Sequence, residues 1–535
     1  MGFRFFSLTI FFTLLFGLLG FNCYRLQIEK GEYYFQTAQA RSEALQQLQM
    51  KRGQILFTDR SGNSITVALN QNYPVIYAVP KEIVSPTSTA AALASSIGWS
   101  KENLFKALSA APQSLFRMLV EKATPNEVDA VQNLNLKGVY VTTKQYRYYP
   151  YGDLASQLIG FVGFNTSTKN PTGLYGIEKE SNDILSGGEN VQLTIDRNLQ
   201  ALAEQKLKAL VKDHNATGGS VIMEDPMTGK ILVDANFPSF DPNYYSSSSI
   251  ATFLNKTVQA VYEPGSVFKP ITMAAGIDLG ILTPQTTYDD KGYVILNGKK
   301  ITNWNHKAYG PGTTMTQVIE HSLNTGAVWA EQKIGRKNFY DFLVKFGLDE
   351  KTGIDLPDEV RGSIANLEER GARDVDYGTA SYGQGISVTP MQMINAFSVF
   401  ANGGLLMRPY VHASDSPYVI RRVVSTSTAA QVVQMMQTAV EKGDVATIPQ
   451  FHIAGKTGTA NVPDFQRGGY LDKYIHTFIG IAPVLNPKMV ILVKLDEPAG
   501  GEVAASTVVP AFRELARFVL NYYNVPPDNP THASP

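Results

Sequence analysis

The chain has 535 residues, 44% of them hydrophobic, and its 47 basic and 47 acidic side chains cancel. That length allows more than one packed domain, the apolar content excludes a wholly disordered chain, and the absence of a long Lys/Arg block removes the electrostatic basis for nucleic-acid binding. Seven scattered histidines and one cysteine offer neither zinc-type spacing nor a disulfide, so no metal and no covalent cross-link is expected.

From Phe5 to Cys23 the stretch FFSLTIFFTLLFGLLGFNC is uncharged and close to the roughly 20 residues a helix needs to cross about 30 Å of hydrocarbon. Its apolar run is longer than that of a signal peptide and no A-x-A-like site follows, so residues 1–24 are expected to remain as a short cytoplasmic end and a transmembrane anchor. Arg4 and the amino terminus ahead of it orient the N-terminus inward, with everything after Tyr24 exported to the periplasmic side. Cys23 reads as an inert thiol at the membrane edge.

Residues 25–190 mix β-rich stretches (GQILF, SITVAL, YPVIYAV, GVYVTT) with polar-faced helical segments such as TPNEVDAVQNLN, and contain no nucleophile with a base nearby. Arg52 to Thr66 reads as two strands joined by the turn DRSGN, where Asp supplies a side-chain bond and Gly a positive φ. This part is a scaffold.

Residues 191–523 form the second part. Val191, Leu193 and Ile195 alternate as a strand, and Asp196 can cap a helix whose apolar face uses Leu199, Leu202, Leu207 and Leu210. GGSVIMEDPMTGKILVDAN gives a β-hairpin. Far downstream FHIAGKTGTANV, YIHTFIGIAPV and MVILVKLDE are three strands of an antiparallel meander, followed by the amphipathic helix VVPAFRELARFVLNYY. Strands at both ends with helices between predict an α+β domain: one antiparallel sheet completed by distant segments and covered by helices. Residues 524–535 read as a disordered tail.

Within the helical block, EPGSVFKPIT places Ser266 at a helix start, since Gly265 ends the preceding loop and Pro270 suits a first turn. Lys269, three residues on, projects to the same side, close enough for its amine to bond the serine hydroxyl. A lysine of ordinary pKa is a poor base at neutral pH, so catalysis requires this one to be desolvated or set beside another cation. Alone, S-x-x-K is more often an N-cap serine with an exposed lysine. HSLNTGA adds Ser322 and Asn324, and AGKTGTA adds Lys456, Thr457, Gly458 and Thr459 inside a predicted strand.

Ser-x-x-Lys, Ser-x-Asn and Lys-Thr-Gly in this order resemble the motif set of penicillin-binding proteins and class A β-lactamases. Arg52-Gly53, Asp59-Arg60, YPYGDLASQLIGFVG, GLYGIEKESNDILSG, LTIDRNLQ, PSFDPN and YGQGISVTPMQ extend the likeness over nearly the whole chain. They resemble the class B penicillin-binding proteins, monofunctional peptidoglycan D,D-transpeptidases. The forms TNWNHKAYGPGT and SYGQGISVTPMQ lean toward the FtsI-like cell-division type over the elongation type. Gln157 departs from the pattern, standing where a histidine is expected.

The resemblance implies a penicillin-binding-protein/serine β-lactamase-like transpeptidase domain on an elongated, dimerisation-type pedestal. It implies Ser266 as nucleophile, Lys269 as base, Ser322 as proton relay, and Asn324 holding Lys269 and the substrate amide. Lys456, Thr457 and Thr459 would bind the carboxylate of a stem peptide ending in D-Ala-D-Ala. Gly458 would keep the strand open, and the backbone N–H groups of Ser266 and Thr459 would form the oxyanion hole. No cofactor is implied. β-Lactams are expected as covalent inhibitors. The region before the transpeptidase lacks an acidic polymerase motif, so a polytopic glycosyltransferase of the FtsW or RodA kind is the expected partner. A β-lactamase would need a water-activating glutamate for which no motif is visible; a carboxypeptidase or β-lactam sensor would share acylation alone. From another class, the scaffold suits a structural adaptor of the division machinery whose catalysis is secondary.

Overall fold

The structure, a computed structural model, describes residues 2–30, 52–164, 171–368, 371–464, 466–500 and 503–529. The chain divides into two compact units, residues 1–52 with 70–148, and residues 53–69 with 149–535.

The first unit begins with the helix Gly2–Tyr24, continued by a π-helical turn Arg25–Glu29. Residues 5–29 are apolar enough and long enough to cross a membrane, and none of that stretch is buried in protein. Further on, residues 76–78 pair antiparallel with Arg117–Val120, and helices Pro86–Ile97, Lys101–Ser109 and Pro125–Leu134 accompany the strands. Each helix starts where a hydroxyl accepts an otherwise unpaired N–H: Ser85 from Ser88, Ser100 from Asn103, and Thr124 in a reciprocal box with Glu127. Ile76, Leu93, Leu104, Leu119 and Val131 close a small core of their own.

In the second unit, strand Ile55–Thr58 runs antiparallel to residues 64–68 and parallel to Val191–Asp196. The turn between the first two forms as its residues dictate: Asp59 accepts the N–H groups of Ser61 and Asn63, and Gly62 sits at φ +80°. A side chain at Gly53 would place its Cβ 1.7 Å from the Glu189 carbonyl oxygen, so the backbones meet there only because that residue is glycine.

The main sheet, with its helices, is built from helix α1 (Arg197–Asp213), strands β1 (Gly218–Asp225) and β2 (Lys230–Phe237), and helices α2 (Lys269–Asp278), α3 (Asn324–Ile334) and α4 (Pro390–Ala401). Strands β3 (Ala454–Pro463), β4 (Tyr470–Ala482) and β5 (Met489–Asp496) and helix α5 (Ala504–Tyr522) complete it. The strand order is β3-β4-β5-β1-β2, antiparallel at every pairing, with β3 at one edge. Period-two alternation assigns the faces. Val221, Met223, Ile491 and Val493 meet α1 and α5 through Leu207 and Phe512. Ile222, Val490 and Leu492 turn to the other side, where α2 and α4 contribute Ile271, Met393 and Phe397. Asp196 caps α1 as its position requires, accepting from Asn198 and Leu199.

Gln157 is buried in this unit, and its amide donates to two carbonyls, Pro238 at 2.8 Å and Thr252 at 3.0 Å. One NH₂ serves both, a geometry that a single imidazole nitrogen cannot reproduce. The expectation of a disordered tail from residue 524 needs correction at its start. Asp528 accepts the backbone N–H groups of His452 and Leu485, and the Asn529 N–H donates to Gln450, because these backbone donors and acceptors find no strand partner. The rest of that segment, 530–535, lies outside the described residues.

Candidate active site

Ser266 sits in a 3₁₀ turn, Gly265–Phe268, that runs directly into α2. At three residues per turn, positions i and i+3 eclipse, so the Ser-x-x-Lys spacing brings the two side chains together even more closely than an α-turn does. Gly265 adopts φ +61° and donates its N–H to Gly383. Pro270 falls in the first turn of α2, where its missing N–H leaves no bond unmade.

Lys269 is fully buried, and four atoms surround its Nζ: Ser266 Oγ at 3.0 Å, Ser322 Oγ at 3.1 Å, the Ser322 carbonyl oxygen at 2.7 Å and Asn324 Oδ1 at 2.9 Å. Burial drives its pKa far below the usual lysine range, and the positive charge of Lys456 pushes it further. A neutral amine has two N–H donors and one lone pair. The carbonyl oxygens of Ser322 and Asn324 cannot donate and so absorb the two N–H groups, which leaves the lone pair for a hydroxyl. The site thereby fits an amine that accepts from Ser266.

Ser322 turns at φ +55°, a left-handed conformation rarely held without glycine, just before α3 begins at Asn324. The other end of the Asn324 amide donates to the Thr302 carbonyl at 2.9 Å. Behind it lies a buried network that no sequence motif announces. Thr325 donates to Asp290 at 2.7 Å, Asn303 donates to Asp290 at 3.0 Å, and the Asn303 Oδ1 accepts the Thr325 N–H at 3.2 Å. Asp290, Asn303 and Thr325 are ordinary turn and helix polar residues until the fold brings them together, and no spacing rule marks them.

The Lys-Thr-Gly segment lies in β3, at the edge of the sheet. Lys456 is buried, its pKa pushed down to about 7 by that burial, and its amine donates to the Thr457 carbonyl at 3.1 Å. At Gly458 a Cβ would come within 2.9 Å of the Pro264 carbonyl oxygen and 3.0 Å of Val267 Cγ1, so glycine lets β3 close on the turn that carries Ser266. Thr457 is half-buried; Thr459 is exposed, its hydroxyl 3.4 Å from the Ala504 backbone N–H. The expected residues therefore share one cleft, with the 3₁₀ turn, the start of α3 and the edge strand as its three walls. Among the described residues no three His, Cys, Asp or Glu side chains gather as metal ligands.

A serine held against a desolvated lysine beside an open sheet edge is the arrangement that an activated nucleophile requires. Residues 219–515 match the penicillin binding protein transpeptidase domain, and residues 47–218 the penicillin-binding protein dimerisation domain. The chain belongs to the class B penicillin-binding proteins. The peptidoglycan D,D-transpeptidase FtsI of Escherichia coli (strain K12) is 29% identical over 94% of this chain and 89% of its own length. Stage V sporulation protein D of Bacillus subtilis is 29% identical over 93% and 84%, respectively. The crystal structure of penicillin-binding protein 3 from Mycobacterium tuberculosis, complexed with aztreonam, superposes with a TM-score of 0.67 at 26% identity, covering 90% of this chain and 97% of that one.

Proposed function

We propose that this protein cross-links peptidoglycan as a D,D-transpeptidase acting through an acyl-enzyme on Ser266. The observation that carries the reading is the environment of Lys269: a buried amine, depressed in pKa, 3.0 Å from Ser266 Oγ. A donor stem peptide ending in D-Ala-D-Ala lies extended along β3, as an edge strand accepts a peptide. Lys456, Thr457 and Thr459 hold its terminal carboxylate. Lys269 takes the Ser266 proton as Oγ attacks the penultimate carbonyl carbon, and the backbone N–H groups of Ser266 and Thr459 receive the oxyanion. As the tetrahedral centre collapses the peptide C–N bond breaks, a proton passes by way of Ser322 to the leaving nitrogen, and D-alanine departs. Asn324 keeps Lys269 and the substrate amide in register. An amine of a neighbouring stem then attacks the ester, forms the new amide and returns Ser266 to its hydroxyl form. A β-lactam enters the same first step, but its leaving group stays tethered and the ester persists.

The division role draws support from the forms of TNWNHKAYGPGT and SYGQGISVTPMQ, with an elongation role as the alternative; depletion giving filaments supports the former, and rounded cells the latter. The apolar N-terminal helix supports a single-pass anchor with the bulk of the chain outside the cytoplasmic membrane. A polytopic FtsW- or RodA-type glycosyltransferase supplies the glycan strands, meeting the span and the pedestal. Co-purification that survives both replacement of the span and deletion of the pedestal would refute that contact.

Labelled penicillin tests the chemistry. It is expected to attach covalently to the wild-type protein and not to a folded Ser266→Ala variant; equal labelling of both rejects the nucleophile.

A further inference from the structure

Acyl transfer leaves one buried carboxylate beside the cleft without a task. Glu263, three residues ahead of Ser266, is 9% exposed, and both of its oxygens are engaged. Oε1 accepts the backbone N–H of Gly385 at 3.1 Å, and Oε2 accepts the hydroxyl of Tyr470 at 3.0 Å. Tyr470 opens β4 and stands opposite Pro463, the last residue of β3. Burial raises the pKa of the carboxyl while these two donors pull it back down.

A charge in this position calls for a reason, since a well-packed apolar residue of similar size serves stability as well or better. Glu263 is not the counter-ion of the catalytic lysine, whose depressed pKa is accounted for by burial and by Lys456. Its contacts indicate a mechanical task instead. The nucleophile turn is already sewn to the loop 383–388 by backbone bonds: Tyr262 and Val388 exchange N–H···O=C bonds at 2.9 and 3.0 Å, and Gly265 donates to Gly383 at 2.9 Å. Toward β3 the turn closes through packing at Gly458. Glu263 adds a directional link, running from the turn to the outer end of the β3–β4 hairpin.

We propose that Glu263 is a positioning residue for acyl transfer, tethering the β3–β4 hairpin through Tyr470 so that the substrate-binding strand stays in register with Ser266. The inference rests on the transpeptidase reading. Its effect falls on the limiting rate of acylation more than on half-saturation, because a strand that drifts misplaces the carbonyl and the oxyanion donors after the ligand has bound.

The test uses the full chain in detergent micelles and a fluorescent penicillin, comparing wild type with Glu263→Met, which keeps the size and removes both bonds, Tyr470→Phe and the double variant. Each single substitution is expected to lower the limiting acylation rate about tenfold, with a smaller change in half-saturation and a thermal midpoint close to wild type. The double variant is expected to be no slower than the slower single one, since both remove the same link. A wild-type rate for Glu263→Met, or a double defect equal to the product of the two single defects, overturns the tether. Tyr470→Phe deletes one hydroxyl, so the cycle keeps a readable arm even where Glu263→Met fails to fold. Labelling that persists in Ser266→Ala removes the transpeptidase reading itself; labelling that depends on Ser266 but ignores Glu263 and Tyr470 removes the tether alone.

Discussion

Lys269 and Lys456 are buried at the same cleft, and the charge of Lys456 adds to burial in holding Lys269 deprotonated. The pH at which Lys269 loses its proton therefore depends on Lys456 as well as on burial. Below that pH Lys269 is protonated and cannot take the serine proton. Replacing Lys456 with Met removes the like charge and raises the pKa of Lys269. The acidic limb of the penicillin acylation profile is therefore expected to move to higher pH, apart from any loss of affinity for the carboxylate; a limb that stays in place or moves lower contradicts the coupling.

Asn324→Asp reverses the local charge. The new carboxylate, where Oδ1 lies 2.9 Å from the amine, stabilises the cationic form of Lys269. It also loses the donor that reaches Thr302. Acylation at neutral pH is expected to fall by about 10²-fold and to recover in part as pH rises, which stopped-flow labelling across a pH series resolves.

Gly458→Ala addresses packing. Its Cβ meets the Pro264 carbonyl and Val267, backbone and branched side chain that cannot swing aside, so β3 must retreat from the nucleophile turn. The overpacking is expected to cost about 1–3 kcal/mol. The acylation rate should drop far more than the melting temperature does; equal, proportionate losses would indicate general unfolding instead.

Away from the cleft, His412 lies between Ser181, whose Oγ is 2.7 Å from Nε2, and Asp355, which bonds Nδ1. The trio has the order of a hydrolase triad, yet Ser181 is 3% exposed, so a substrate has no way to reach it. It acts as a clamp. Burial lowers the histidine pKa, but the bond and charge of Asp355, with Asp415 and Glu180 behind, outweigh it and the net shift is upward. Burial likewise raises the Asp355 pKa, and His412 outweighs it downward. The histidine contribution is complete below its unfolded pKa near about 6.5 and fades as pH rises through the folded value; the aspartate contribution is present above about 4 and fades as pH falls. His412→Gln is expected to cost about 1–3 kcal/mol between those limits and less at alkaline pH, as urea melts at several pH values will measure.

The approach of Lys269 to Ser266 was legible because an i, i+3 spacing brings two side chains together in either a 3₁₀ or an α-turn, so the type of turn did not need to be known. The edge strand was legible from alternation, and the order of motifs then joined the three walls. Residue 74 is a proline, and Asn70 to Tyr73 is polar, so SITVAL and YPVIYAV read as separate stretches; they form one strand, Ser64–Ala78. Asp290, Asn303 and Thr325 stayed hidden for a different reason. Their bonds are made between loops and a helix start, where no periodicity links one partner to the next, and only the folded chain places them side by side.

At the centre of the sheet, β1 lies against β5, segments drawn from opposite ends of the catalytic part. During synthesis the hairpin β1–β2 therefore waits with an open hydrogen-bonding edge until β5 has been made. Topology of this kind makes folding slow and leaves that edge exposed to the wrong partner in the interval. Loss of β4 and β5 would leave all three motifs in the polypeptide and the pocket unbuilt, so whatever shields the open edge of β1 matters to this enzyme before any substrate does.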